Sequence, residues 1–279
     1  FGNGTNGSTA AGPGIGSITE PNTLGSGGGK CEGAVGGAGG GLFRVTAGGM
    51  VQLDGHVDVR GANGTTNGSN YASGGGAGGS VFITSAALTG TGLIQANGGL
   101  GGNSSSADGG GGGGGRIALV FDGATSVTTE AFGGIGGAQH GGAGTFYRGS
   151  PGGAVDHLLV DNNLISGAFT PLSDTPHVFQ TLAVVQRGRL HATQDGLLAT
   201  TGLAVVSDTG ILRADATVNL GQLLVEGGGL VDHTAGVANM KLVVSGDVTV
   251  DVGGTIGGTG LGHAAGPGAG ATGGYRIGG

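Results

Sequence analysis

The sequence predicts an all-β chain: a parallel β-helix (β-solenoid) with three short strands per coil of about 20 residues, and Gly-rich, polyproline-II-like arms. Three observations carry this prediction. Of the 75 Gly residues, 51 lie in residues 1–153 and only 11 in residues 154–250. The Gly-poor segment repeats at a nearly constant step. The Gly-rich half carries the same apolar unit, separated by long insertions.

The repeat of the Gly-poor segment is seen in four apolar stretches that begin at Leu182, Leu203, Leu223 and Leu242, with steps of 21, 20 and 19 residues. A second apolar stretch follows each of the four, the last of them at Val248, and a weaker third stretch follows the first three. All are short, β-branched and bounded by Gly, Asp, Asn or Ser, which is typical of strands rather than helices. Because one coil cannot bury its inward side chains alone, we expect the four Leu-Val stretches to stack directly over one another.

The Gly-rich half repeats this unit with arms inserted between coils. Strands are predicted to begin at Leu42, Val81 and Arg116, each after a Gly-rich run. Subtracting one coil from the spacing leaves arms over residues 61–80 and 97–115, and a shorter one near 133–145. These arms are either disordered loops or ordered segments. We expect order, because extended chains without side chains can pack closely and bond through their main-chain groups, although ordering Gly is entropically costly.

Four segments follow from this composition: a Gly-rich N-terminal segment (1–41), coils with long Gly-rich arms (42–153), regular coils (154–252) and a Gly-rich C-terminal segment (253–279). The two end segments are similar in texture, and neither contains an amphipathic helix that could cover a terminal coil. Unpaired strand edges template the addition of another chain. The sequence therefore predicts a homopolymer in which subunits dock head to tail.

Composition excludes several other classes of protein. Gly does not recur at every third position, as collagen requires. With 37% hydrophobic and 10% charged residues, the chain does not have the composition of a disordered protein. The net charge of −7 and the scattered Lys and Arg residues argue against nucleic acid as a partner.

The same composition bears on where the protein acts. No apolar run approaches the ~18 residues of a membrane-spanning helix, so no membrane span is expected. The first residue is Phe1 rather than Met, so we expect either a removed targeting segment or a piece of a longer chain. Both fit an extracellular or cell-surface protein.

The runs Gly-Gly-Gly before Leu42-Phe-Arg-Val, Val81-Phe-Ile-Thr with Leu93-Ile-Gln-Ala, and poly-Gly before Arg116-Ile-Ala-Leu resemble a known family. It is that of the large glycine-rich repetitive cell-surface proteins of bacteria, in which Gly-rich blocks alternate with parallel β-helix coils. The resemblance covers roughly residues 20–120 well. It implies a secreted, repetitive surface protein, and it brings no enzymatic residues.

The parallel β-helix is also a fold of polysaccharide-cleaving enzymes, which need carboxylates clustered on one face of consecutive coils. The candidates are scattered at varied offsets, as solvated turn residues are: Asp156, Asp161, Asp208, Asp215, Glu226 and Asp232, with Arg187, Arg189 and Arg213. Four His residues also lie in this half: His157, His177, His191 and His233. They lack the spacing of a metal site, and Asp108 and Asp232 are poor matches to a calcium repeat. We therefore predict no catalytic residue, no metal and no cofactor.

Five N-glycosylation acceptor patterns lie in the Gly-rich stretches, at Asn3, Asn6, Asn63, Asn67 and Asn103. They mark a surface for sugar if the source glycosylates, and otherwise they reflect chance in an Asn- and Ser-rich sequence. The single cysteine, Cys31, excludes an internal disulfide. It is either a small loop residue or one half of an intermolecular disulfide.

These observations together predict an extracellular structural protein that assembles end to end into a surface filament, fibre or sheath. Three alternatives remain open: an adhesin or carbohydrate-binding β-helix with cell-surface glycans as partners, an ice-binding protein, and a polysaccharide-degrading enzyme. The first would need exposed aromatic residues, the second a regular array of Thr or Gly, and the third converging carboxylates.

Overall fold

The computed structural model describes residues 16–68, 70–172, 176–237 and 240–262, and within them every regular element is a β-strand. Eleven strands lie in the Gly-rich half: β1 (Leu42–Thr46), β2 (Met50–Gln52), β3 (His56–Asp58), β4 (Thr66–Asn67), β5 (Tyr71–Ala72), β6 (Ser80–Thr84), β7 (Ala87–Thr89), β8 (Leu93–Gln95), β9 (Arg116–Val120), β10 (Thr128–Glu130) and β11 (Thr145–Gly149). Fourteen follow: β12 (Asp156–Asp161), β13 (Thr170–Leu172), β14 (His177–Phe179), β15 (Thr181–Val185), β16 (Arg189–Ala192), β17 (Leu198–Thr200), β18 (Leu203–Val206), β19 (Ile211–Ala214), β20 (Thr217–Leu220), β21 (Gln222–Val225), β22 (Leu230–Asp232), β23 (Lys241–Val244), β24 (Val248–Val250) and β25 (Thr255–Ile256).

One nine-stranded sheet, here called the central sheet, runs through the molecule in the order β1-β6-β9-β11-β12-β15-β18-β21-β24. In the second half the chain leaves this sheet for a five-stranded sheet, β13-β16-β19-β22-β25, then enters a four-stranded sheet, β14-β17-β20-β23, and returns. The strand pairs within these two sheets are parallel. The prediction of an all-β chain with stacked parallel strands is therefore confirmed.

The register of the central sheet lines up its buried side chains in columns. Val160, Val184, Val206 and Val225 are in-register partners of one another, and each is fully buried. A parallel column contains Leu158, Leu182, Ala204 and Leu223, with the positions between them facing outward. This alternation is what a half-buried strand requires, and burying each large aliphatic side chain contributes roughly 1.5–3 kcal/mol.

The expected stacking of the four Leu-Val stretches is wrong in two respects. Leu182 is in register with Ala204 rather than Leu203, so Leu203 faces outward. Leu242 lies in the four-stranded sheet, where it is in register with Val218, and Val248, expected in a second strand, lies instead in β24, the last strand of the central sheet. The same apolar motif serves different sheets, so a spacing near 20 residues does not identify the sheet.

A second difference concerns direction, because the strands of the central sheet are not all parallel. Strands β1, β6, β9 and β11 are parallel to one another, but β11 and β12 pair antiparallel, with Tyr147 opposite Leu158. From β12 to β24 the strands are parallel again. The chain therefore reverses its course between Gly149 and Asp156, while the sheet keeps growing in one direction.

The two halves have their cores on opposite faces of the central sheet. In-register partners point to the same face of a sheet. Val81 and Ile83 pair with Ile117 and Leu119, and these four belong to the first-half core with Leu88, Ile94 and Phe121. The intervening Phe82 and Ala118 share the opposite face with Tyr147 and Leu158, which belong to the second-half core. The reversal of the strands therefore coincides with a change of the core to the other face of the central sheet.

The Gly-rich arms form a bundle of extended segments held by main-chain hydrogen bonds. Residues 73–79 lie at its centre, and their successive N–H groups donate in three directions in turn. Gly74 and Ala77 donate to Gly29 and Ser26, Gly75 and Gly78 to Gly110 and Gly113, and Gly76 and Gly79 to Ala62 and Val59, all at 2.8–2.9 Å. These N–H groups bond to neighbouring segments rather than within their own, so the bundle depends on several segments lying side by side. The expectation that the arms contact one another is confirmed.

Asn162 joins this bundle to the second half. Its side chain is buried directly after β12, where its Oδ1 accepts from the N–H of Gly133 at 2.7 Å. Its Nδ2 donates to the carbonyl oxygens of Ile165 at 2.7 Å and Gly141 at 3.2 Å. Because this buried amide is hydrogen-bonded on both its oxygen and its nitrogen, it fixes the position of the arm at residues 133–145 relative to β12.

Replacing Gly76 by Ala is expected to disrupt the bundle, because the added methyl group would overlap the carbonyl oxygen of Ala38. Neither backbone can move without breaking other bonds, so we expect a loss of at least about 1–3 kcal/mol in the free energy of unfolding. Thermal unfolding followed by circular dichroism measures it.

The matched control is Gly41→Ala, at the end of the neighbouring segment, where nothing lies within 4 Å of the added carbon. It should leave the melting temperature nearly unchanged. Equal melting temperatures for the two variants would show that the arms are not packed as described.

Candidate functional site

Among the described residues, the last strands of the sheets leave the ends of the internal columns open. Val250 continues the column of Val225, and Val248 continues that of Leu223. Val225 and Leu223 are buried, whereas Val250 is 48% and Val248 is 52% exposed. In the five-stranded sheet Ile256 in the same way follows the buried Val231 and is half-buried. This surface, formed by β24 and β25, is called the trailing end.

The first strands form the equivalent surface at the opposite end of the central sheet. Phe43 and Val45 are in register with the buried Val81 and Ile83, and both remain half-exposed. Val51 on β2 likewise follows the buried Leu88 and is half-exposed. This surface, formed by β1 and β2, is called the leading end.

The outward positions of the two end strands carry charge. On β1 the outward residue between Phe43 and Val45 is Arg44, whose guanidinium lies 4.8 Å from the ring centre of Phe82. Beside β24 the outward positions are Asp247, Thr249 and Asp251, all exposed. Each end thus has an apolar row facing the core and a charged or polar row facing out, with opposite signs of charge at the two ends.

A second candidate site is a polar cluster on the outer surface of the five-stranded sheet. His191, Arg213 and Asp232 are in-register neighbours on β16, β19 and β22. Arg213 donates to both oxygens of Asp232, at 2.8 Å from Nε and 2.6 Å from Nη2. The same guanidinium lies 4.2 Å from the ring centre of Phe169. The bidentate bond raises the pKa of Arg213.

Asp215 completes the cluster. Its Oδ2 is 2.7 Å from Nε2 of His191 and accepts from the hydroxyl of Thr234 at 2.6 Å, while Oδ1 accepts from the Thr234 N–H at 2.7 Å. Burial alone would raise the pKa of Asp215, but the hydrogen bonds from Thr234 and His191 outweigh it and lower the pKa. The carboxylate is therefore held ionised by its neighbours.

This arrangement places the carboxylates in structural bonds. Both oxygens of Asp232 are occupied by Arg213, and both oxygens of Asp215 by Thr234 and His191. Glycoside cleavage needs two carboxyl groups free to face a substrate. Among the described residues, no group of three or more His, Cys, Asp or Glu side chains is placed to hold a metal ion.

The other candidates from the sequence are dispersed. Asp156 pairs with Nε2 of His177 at 3.0 Å, and Asp161 accepts from the N–H of Asn163 at 2.7 Å. Burial raises the pKa of Asp161. Arg187 donates to the carbonyl oxygen of Leu164, and Arg189 lies 5.5 Å from the Phe169 ring centre. Three of the remaining candidate residues each contact one neighbour: His157 contacts Thr181, His233 contacts Thr234, and Asp208 contacts Ser207. Glu226 lies in a turn.

The predicted modification sites are placed as follows. Asn63, Asn67 and Asn103 are exposed, whereas Asn3 and Asn6 lie outside the described residues. Asn63 accepts from the N–H of Leu100, and Nδ2 of Asn67 donates to the carbonyl of Glu32. Cys31 is buried, so its thiol would have to become exposed before it could meet another chain.

Two members of the polar cluster are missing from the sequence prediction. Phe169 lies in the irregular segment before β13, where no strand pattern marks it, and Thr234 follows β22 in a turn. Only Asp215 and Asp232 with Arg213 and His191 were candidates. The signal for Thr234 was its position directly after a polar pair, Asp232-His233, at the end of a predicted strand.

A comparison of the chain with protein-family models, with curated proteins and with solved structures found no match. Nothing in the described part of the chain forms a helix of the length and apolarity needed to cross a membrane. The end surfaces and the polar cluster therefore have to be interpreted from their own geometry.

Replacing Asp215 by Ala is expected to lower the free energy of unfolding by ~1–3 kcal/mol at pH 7, because Thr234 and His191 lose their acceptor. The folded-state pKa of Asp215 is lowered. Its contribution is therefore complete above the unfolded value of about 3.9 and is lost as the pH falls through the lower folded value. Urea unfolding of the parent and the variant between pH 7 and pH 3 measures this difference.

Glu226→Ala, at a half-buried turn position, serves as the control and should change stability little at any pH. If the difference between Asp215→Ala and the parent did not shrink in acid, the stabilising role of the carboxylate would be wrong.

Proposed function

We propose that this protein is an extracellular structural protein whose copies add end to end into a filament or sheath. The observation that supports this proposal most directly is that two apolar columns end at the surface. Val248 and Val250 are about half exposed at the trailing end, while their in-register neighbours Leu223 and Val225 are buried. An apolar row beside an unpaired strand edge favours addition of another strand. A second copy of the chain supplies that strand with matching spacing.

The proposal also includes the fold, a parallel β-helix with Gly-rich, polyproline-II-like arms. The path from the central sheet through the five-stranded and four-stranded sheets and back supports a parallel β-helix with three short strands per coil. The three-residue repeat of donors in residues 74–79 supports polyproline-II-like arms. Such coils bury side chains only against their neighbours, so extending the stack is favourable at either end.

The chemistry of the surface supports a structural role over the alternatives. The carboxylates best placed for catalysis, Asp215 and Asp232, are engaged by Thr234, His191 and Arg213. The exposed positions of the bundle include Asn63, Leu100, Ile135 and Gln139, which interrupt the regular array of Thr or Gly that ice binding favours. A groove of about 680 Å³ beside Asp58 and Arg60 has Phe132 as its aromatic lining residue, where sugar binding favours a ladder.

Purified protein is expected to form filaments in negative-stain electron microscopy, with a subunit mass matching the intact chain. Raising the ionic strength should leave them assembled, because apolar contacts and main-chain hydrogen bonds are not screened by salt. Val250→Asp should abolish or strongly reduce filaments, because it places a charge at the end of the apolar column.

The control is Val243→Asp, which adds the same charge at a similarly exposed outward position of β23. It should assemble as the parent does, and thermal unfolding checks that both variants fold. Dissociation to monomers on raising ionic strength alone, or equal assembly of the two variants, would contradict end-to-end addition through these columns.

A further inference from the structure

The internal reversal sets the relation between two copies that meet end to end. At the leading end, strand β1 runs in one direction and its core lies on the face of Phe43 and Val45. At the trailing end, strand β24 runs in the opposite direction and its core lies on the other face, that of Val248 and Val250. The two ends of one molecule therefore differ in both strand direction and core side.

The stacking axis is the direction across the central sheet from β1 to β24. A half-turn about this axis reverses both the strand direction and the side on which the core lies. After that rotation, β1 of the incoming copy runs parallel to β24 and its core lies on the same side as that of the trailing end. Phe43 and Val45 then extend the columns of Val248 and Val250, and Val51 extends that of Ile256. The apolar rows of the two copies join into one core.

Without the half-turn, the two ends do not match. Copies related by translation alone would pair β1 antiparallel to β24, with the faces of the sheet unchanged. The acidic row of Asp247 and Asp251 would then share a face with Phe43 and Val45, and Arg44 would share a face with the valines. Placing charged groups beside an apolar column is unfavourable, because it removes them from water without a partner.

The outward row supports the same register. With Phe43 beside Val248, Arg44 lies beside Thr249 and diagonal to Asp247 and Asp251. Diagonal neighbours across a strand pair are about 7–8 Å apart, within reach of a long side chain. Exposed pairs of this kind contribute little to affinity, so they select the register while the apolar columns supply the association.

We propose, resting on the proposed end-to-end assembly, that the partner of the trailing end is the leading end of a second copy turned by about half a turn around the stacking axis. The contact is a parallel β1–β24 pair in the register Phe43–Val248, Arg44–Thr249 and Val45–Val250. The filament then repeats in pairs of subunits that face opposite ways.

Cysteine pairs in the full chain test this arrangement, in a Cys31→Ala background. Arg44→Cys with Thr249→Cys places two thiols side by side across the proposed contact. Adjacent strands are about 4.8 Å apart, within the separation that a disulfide spans. Mild oxidation should then give a ladder of covalent multimers on a non-reducing gel. The matched pair, Arg44→Cys with Val250→Cys, places the thiols on opposite faces and should give none.

The outcomes distinguish a failure of the half-turn contact from a failure of end-to-end assembly itself. A ladder from the second pair alone would mean antiparallel, translation-related ends, and would overturn the half-turn while leaving end-to-end assembly intact. Filaments that neither pair links would also overturn this contact. The absence of any filament would overturn the proposed function, and this inference with it. In assembled filaments, cryo-electron microscopy should show a rotation of about half a turn between successive subunits, and a rotation near zero would be incompatible with the proposal.

Discussion

Main-chain hydrogen bonding between neighbouring extended segments is the interaction on which the rest of this structure depends. The chain has 75 Gly residues, 10% charged residues and no Trp, so side-chain chemistry is sparse. Ordering Gly is costly in conformational entropy, and only many bonds formed together offset that cost. In the central sheet such bonds join one strand to the next. In the bundle they join each arm to several others, and the absence of side chains allows the close approach.

Much of the strand content could be predicted from the sequence, because period-two alternation and turn residues are local signals. The strands at Leu42, Arg116 and Leu203 begin where their apolar stretches begin. The register could not be predicted, since it depends on which strand lies alongside. Leu242 shows this: its Leu-Val-Val motif resembles those at the central sheet, yet the longer connection after β22 carries it into the four-stranded sheet.

The reversal between β11 and β12 was missed for a different reason. Strand direction leaves no trace in the alternation of apolar residues, so a parallel and an antiparallel neighbour look alike in sequence. A signal did exist in the turn: Ser150-Pro-Gly-Gly lies between two apolar runs, which is typical of a hairpin. The polar cluster was missed because its row of His191, Arg213 and Asp232 has unequal steps of 22 and 19 residues, and only the register brings them together.

The reversal also determines where the bundle lies. Its segments 36–41, 73–79 and 109–115 lead directly into β1, β6 and β9, so the bundle lies at the edge where the first-half strands begin. Strands of the second half end at that same edge, which is why Asn162, directly after β12, can bond to Gly133 and Gly141. In a filament with half-turn symmetry, successive bundles would lie on opposite edges, so a whole intervening copy would separate two bundles on one edge.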